Sequence, residues 1–192
     1  MSGLTRFVTV LAKVLEIFAW VGSALIAVSI AVIAFGKLEL LKYFSNIQTA
    51  GDLTVGGLNI DLATIDQASF TRAFVIFFIT ALIAFLLMAM VFRNVYLIFK
   101  TAQGKTKFSK GVTPFQPDII RMIREIGIFC LAIPVVQLIM SLIARFVLST
   151  TQAPEIAVSL DFTGIFFGLV VLCLSQFFAY GAKLQEETEG LV

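Results

Sequence analysis

Histidine is absent from the 192 residues, and with it go the commonest general base and the commonest metal ligand. Charge is sparse too. Asp, Glu, Lys and Arg make up 14% of the chain, against about 25% in a soluble domain, which speaks against a water-soluble fold. The net charge is only +2, and no basic run with interleaved aromatics marks a face for nucleic acid, so direct nucleic-acid binding is not expected. The two cysteines, Cys130 and Cys173, are too few for a disulfide framework. Both lie in apolar surroundings, where a thiol acts as a small hydrophobe.

What is present is hydrophobic: 59% of the residues, gathered into blocks with the charges between them. A membrane span needs about 20 apolar residues to cross roughly 30 Å of hydrocarbon. Four stretches qualify, Ile17 to Phe35, Ala73 to Phe92, Ile126 to Ala144 and Phe162 to Ala182, and none contains Asp, Glu, Lys or Arg. The first is too long for the core of a signal peptide, which runs about 7–15 residues, and reads as an uncleaved span. Leu4, Phe7, Val8, Leu11 and Leu15 form an apolar face leading into it. The expected fold is therefore an all-α membrane protein, a four-transmembrane-helix bundle in one domain. Its helices are expected at about 8–35, 70–99, 118–148 and 162–186.

Lys and Arg near the span ends set orientation. On one side stand Arg6, Lys13, Arg93, Lys100, Lys105, Lys107, Lys110, Arg121, Arg124 and Lys183; on the other stand Lys37, Lys42, Arg72 and Arg145. Ten against four predicts both termini and the 100–117 loop in the cytoplasm of a cell membrane, with the 36–69 and 149–161 loops outside. In the longer outer loop, Leu53 to Leu62 alternates apolar and polar residues about Gly56-Gly57, the pattern of a tight β-hairpin. A small extracytoplasmic sheet is expected there, with the Ile156–Leu160 stretch as a third strand, because an isolated hairpin is marginal in water.

Within the membrane, Ala19, Ser23, Ala27 and Ala31 recur every four residues. They form a face of small side chains for close helix packing within the chain, in a homo-oligomer or on a partner's helix. Pro134 frees the carbonyl of Cys130 and predicts a kink. Gln176, level with Ala132 when both helices are counted from the cytoplasmic side, is positioned to cap that carbonyl. Gln137 and Ser141, with Ser175 and Gln176, either link helices or line a polar path. No span holds the carboxylate or base that coupled transporters, proton pumps and aspartyl intramembrane proteases use. Serine and cysteine have no histidine to activate them. The expectation is not an enzyme, with no metal and no cofactor.

Gly104 predicts a helix stop. Lys105, Lys107 and Lys110 follow it, facing anionic headgroups or an acidic partner, and Glu186 and Glu187 in the acidic tail can pair with them. The run Gly104-Lys-Thr-Lys-Phe-Ser109, Ile126-Gly127, Leu160-Asp-Phe-Thr-Gly164 and Gly181-Ala-Lys-Leu-Gln-Glu-Glu187 together resemble the bacterial membrane proteins grouped as domain of unknown function 2975. The proline-punctuated Pro114-Phe-Gln-Pro117 and the ending Glu189-Gly-Leu-Val192 depart from that family's pattern. The resemblance implies four membrane helices and membrane-linked regulation beside a small helix-turn-helix regulator, with no site residues attached. A signalling or regulatory role is the leading expectation. A transport or immunity component and an accessory subunit of a membrane complex are the alternatives.

Overall fold

The computed structural model describes residues 3–35, 52–55, 58–61, 67–106, 115–148, 157–158 and 161–189. Four helices dominate: α1 (Gly3–Phe35), α2 (Gln67–Ala102), α3 (Pro117–Leu148) and α4 (Phe162–Glu189). All four are long and apolar enough to cross a membrane. Even α4, with 28 residues, extends about 42 Å at 1.5 Å per residue, more than the hydrocarbon core requires. Large side chains such as Phe18, Phe146, Phe166 and Phe177 point away from the protein along these helices, an arrangement that lipid stabilises and water opposes. This is the make-up of a multi-pass membrane protein.

α1 begins at Gly3, earlier than the expected residue 8, because its amphipathic entry continues the helix without a Pro or Gly to stop it. α2 runs to Ala102 and stops where Gly104 adopts φ 72°. There the amide of Gly104 donates to the Thr101 carbonyl and that of Lys105 to the Lys100 carbonyl, both at 3.0 Å, which is the paired closure of a Schellman motif. α3 passes through Pro134 without interruption.

The chain divides into two compact units. One comprises Met1–Ala19, Leu87–Ala132 and Thr163–Val192; the other comprises Trp20–Leu86 and Ile133–Phe162. In the second unit, Ala73 and Ile76 of α2 pack with Met140, Ala144 and Leu148 of α3 as a buried apolar cluster. Gly22 of α1 leaves room for the Phe85 ring of α2, which comes to 2.7 Å from where a Cβ would stand. The same unit carries three short strands, β1 (Asp52–Val55), β2 (Leu58–Asp61) and β3 (Ala157–Val158), in the order β1-β2-β3. β1 pairs antiparallel with β2, with Asp52 opposite Asp61, and β2 pairs antiparallel with β3, with Leu58 opposite Val158. The Gly56-Gly57 turn lies outside the described residues.

In the first unit, α3 and α4 interlock by exchange of notches. Leu172 fills the space beside Gly127, and Leu131 fills the space beside Gly168, each Cγ 2.7 Å from the position of the missing Cβ. Small residues at such crossings let helix backbones approach where lipid offers no hydrophobic drive to pack.

The small-residue face of α1 is only half as expected. Ala19 and Ser23 are buried, whereas Ala27 and Ala31 are exposed, and the buried stripe continues the other way through Glu16 and Ala12. Its period is therefore the helical 3.6 rather than 4. Buried hydroxyls are satisfied locally: Ser23, Thr80, Ser141 and Ser175 each donate to a carbonyl three or four residues earlier in the same helix.

Candidate functional site

The polar chemistry of the first unit is built on α2. Its last turns put Met90, Arg93, Asn94 and Leu97 on one face, at spacings of three, four and seven residues. The first turns of α3 do the same with Asp118, Arg121, Met122, Glu125 and Phe129. These two faces line a cleft of about 310 Å³. Met90, Leu97, Met122 and Phe129 supply apolar wall, and the remaining five side chains supply two cations, two anions and an amide.

Glu125 ties the cleft together. Its Oε1 accepts from Arg121 Nε at 2.9 Å, one turn away on α3, and its Oε2 accepts from Asn94 Nδ2 at 3.1 Å across to α2. Asn94 is buried, so its amide needs this partner. Arg121 is largely exposed, and its ion pair contributes little stability by itself. Arg93, exposed, and Asp118, half-buried, have no hydrogen bond or ion pair among the described residues.

Two residues beyond Asn94, α2 turns Tyr96 toward α1. Lys13 Nζ lies 4.8 Å from the Tyr96 ring centroid, and Lys100 Nζ lies 5.6 Å from it, both within cation–π range. Lys13 also pairs with Glu16 at 3.0 Å. Glu16 is only 8% exposed, so Lys13 compensates a carboxylate taken out of water.

The four apolar blocks are uncharged, and the charged groups that the sequence reading passed over stand at their edges. The uncharged blocks at Ile17 and Ile126 begin one residue after Glu16 and Glu125, so dividing the sequence at charges put both carboxylates outside the spans. In the structure they sit inside continuous helices, one buried and the other bonded at both oxygens. A signal was present: the spacing of Met90, Arg93, Asn94 and Leu97, and of Asp118, Arg121, Met122 and Glu125, marks one face on each helix.

The residues singled out from the sequence are distributed differently. Pro134, Gln137 and Ser141 follow one face of α3, all buried. Ser141 donates to the Gln137 carbonyl at 2.8 Å, and Gln137 Oε1 has no hydrogen-bond partner among the described residues. Gln176 does not cap the Cys130 carbonyl: it is exposed on α4 with no described hydrogen bond, and Ser175 is the side chain that α4 turns inward. The physical reason is rotation, since adjacent helical residues point about 100° apart. Lys105, Glu186 and Glu187 are exposed, and neither ion pair among the described residues includes them. Lys107 and Lys110 lie outside the described residues. Cys130 is half-buried and Cys173 exposed on its helix. Among the described residues no three His, Cys, Asp or Glu side chains gather where they could hold a metal ion.

No protein-family model, curated protein or solved structure matches the chain.

Proposed function

We propose that this chain is a regulatory or signalling protein of the cell membrane. Both termini and the 100–117 loop are cytoplasmic, and the helices link an extracytoplasmic β-element to a cytoplasmic partner. One observation carries the reading: among the described residues, the eight Lys and Arg residues of the inner count all fall in the first compact unit, and Arg72 and Arg145 of the outer count fall in the second. The unit with the basic loop also holds the Glu125 and Glu16 networks and the acidic end of α4, so the groups suited to a soluble partner collect on the side that the positive charges place in the cytoplasm. The other unit holds the sheet and an apolar core. The partner suggested by the family resemblance is a small helix-turn-helix regulator.

Capture of the full chain from detergent-solubilised membranes tests this. Recovery of a soluble regulator, lost when Lys105, Lys107 and Lys110 are changed to Glu, supports the role. Absence of any soluble partner, with neighbouring transcripts unchanged on deletion, rejects it.

A second reading rests on the unpartnered Oε1 of buried Gln137. A polar atom left unbonded in an apolar interior is costly, and a transport or immunity component would use it to line a solute path with Ser141. Gln137→Leu separates the readings, because it abolishes flux or protection in a path and leaves regulation intact in a signalling protein.

A further inference from the structure

We propose that the cleft between the end of α2 and the start of α3 binds a zwitterionic phospholipid headgroup, with the phosphate on Arg93 and a primary ammonium on Asp118. Four features converge on that ligand. The cleft lies at headgroup depth: Arg93 follows the last residue of one apolar block, Phe92, and Glu125 precedes the first residue of another, Ile126. Its charges balance, Arg93 and Arg121 against Asp118 and Glu125, which suits a ligand of no net charge and gives a purely anionic headgroup no advantage.

Within that balance only one charge of each sign is uncommitted. Glu125 already has both oxygens bonded and holds Arg121, whereas Arg93 and Asp118 are without partners among the described residues. A guanidinium presents paired donors to phosphate oxygens. A carboxylate accepts hydrogen bonds from a primary ammonium, and a quaternary one has none to give. The volume, about 310 Å³, is at the small end of ligand pockets and suits a headgroup without its chains. Met90, Phe129 and the exposed Ile128 provide apolar surface over which the chains leave. The site requires no cytoplasmic partner, so it stands or falls apart from the regulatory role.

Native mass spectrometry of the full, delipidated chain tests it, with equal amounts of phosphatidylethanolamine, phosphatidylcholine and phosphatidylglycerol of identical chains. The ethanolamine lipid is expected to be retained about tenfold over each of the others. Asp118→Asn removes the preference over the choline lipid, and Arg93→Gln lowers retention about tenfold, both with an unchanged thermal transition. Equal or greater retention of the glycerol lipid, or undiminished ethanolamine retention in both variants, overturns the assignment. Release of the bound lipid by an equal concentration of soluble glycerophosphoethanolamine would reassign the cleft to a soluble headgroup and also overturns it. Should a variant fail to fold, the ranking of the three lipids on the wild-type chain decides.

Discussion

Leu131 of α3 and Gly168 of α4 fit as knob and notch: the Leu131 Cγ stands 2.7 Å from where a Cβ on Gly168 would be, with the Leu131 backbone nitrogen at 3.1 Å. Leu172 and Gly127 repeat the fit with the helices exchanged. A methyl group at either glycine must displace both a branched side chain and a backbone. Gly168→Ala is expected to lower stability by about 1–3 kcal/mol, seen as a reduced melting temperature in detergent. Adding Leu131→Ala should recover part of the loss by removing the clashing branch. An unchanged melting temperature in the single variant would show that the helices do not meet at this notch.

Glu125 and Asn94 form the polar tie between α2 and α3. Glu125→Leu leaves the buried Asn94 amide without its acceptor, a loss of about 1–3 kcal/mol. Asn94→Leu added to it should cost less than the sum of the two single changes. A double-mutant cycle by thermal unfolding checks this, and strict additivity would mean that the 3.1 Å bond has no energetic content.

Lys13 compensates Glu16 inside the first unit. Lys13→Met strands a buried carboxylate and is expected to destabilise more than Lys13→Met combined with Glu16→Gln, the second change removing the uncompensated charge. The order of the two melting temperatures decides. Tyr96→Leu should weaken the hold on Lys13 further, and Tyr96→Phe should not, because the ring face is what the ammonium contacts.

Gly104 ends α2 in a left-handed conformation, φ 72°. Gly104→Ala forces a Cβ into that region at a cost of about 1–2 kcal/mol, and Gly104→Asn costs less. Hydrogen exchange at the amides of 104 and 105, bonded to Thr101 and Lys100, should accelerate in the alanine variant. Unaltered protection would show that the helix stop does not depend on glycine.

Sidedness is open to direct chemistry. A cysteine at Thr54, exposed in β1, should react with an impermeant maleimide in intact cells. A cysteine at Lys105 should react only after lysis. The reverse pattern would invert the topology.

The four membrane helices were legible in the sequence because lipid imposes a one-dimensional rule: about 20 residues without charge. The stop at Gly104 was legible for a local reason, its permissive φ. The candidate site was not. Splitting the sequence at charges set Glu16 and Glu125 aside, although each is an ordinary member of a helix whose neighbours supply its partners. Nor does a sequence tell which of Ser175 and Gln176 points inward, since that depends on a rotation of about 100° set by packing against another helix.

The sequence by itself determined the number of spans, their class and the separation of positive charge, since hydropathy and charge act on each segment alone. Only the tertiary structure decided that Glu125 joins Asn94 to Arg121, that Lys13 covers Glu16, and that glycines on α3 and α4 receive each other's leucines. The Glu125–Asn94 bond and the glycine notches join different helices, and they depend on azimuth and axial offset, which close packing sets between helices and no single segment encodes; Lys13 and Glu16 share α1, and there packing decides the burial of the carboxylate.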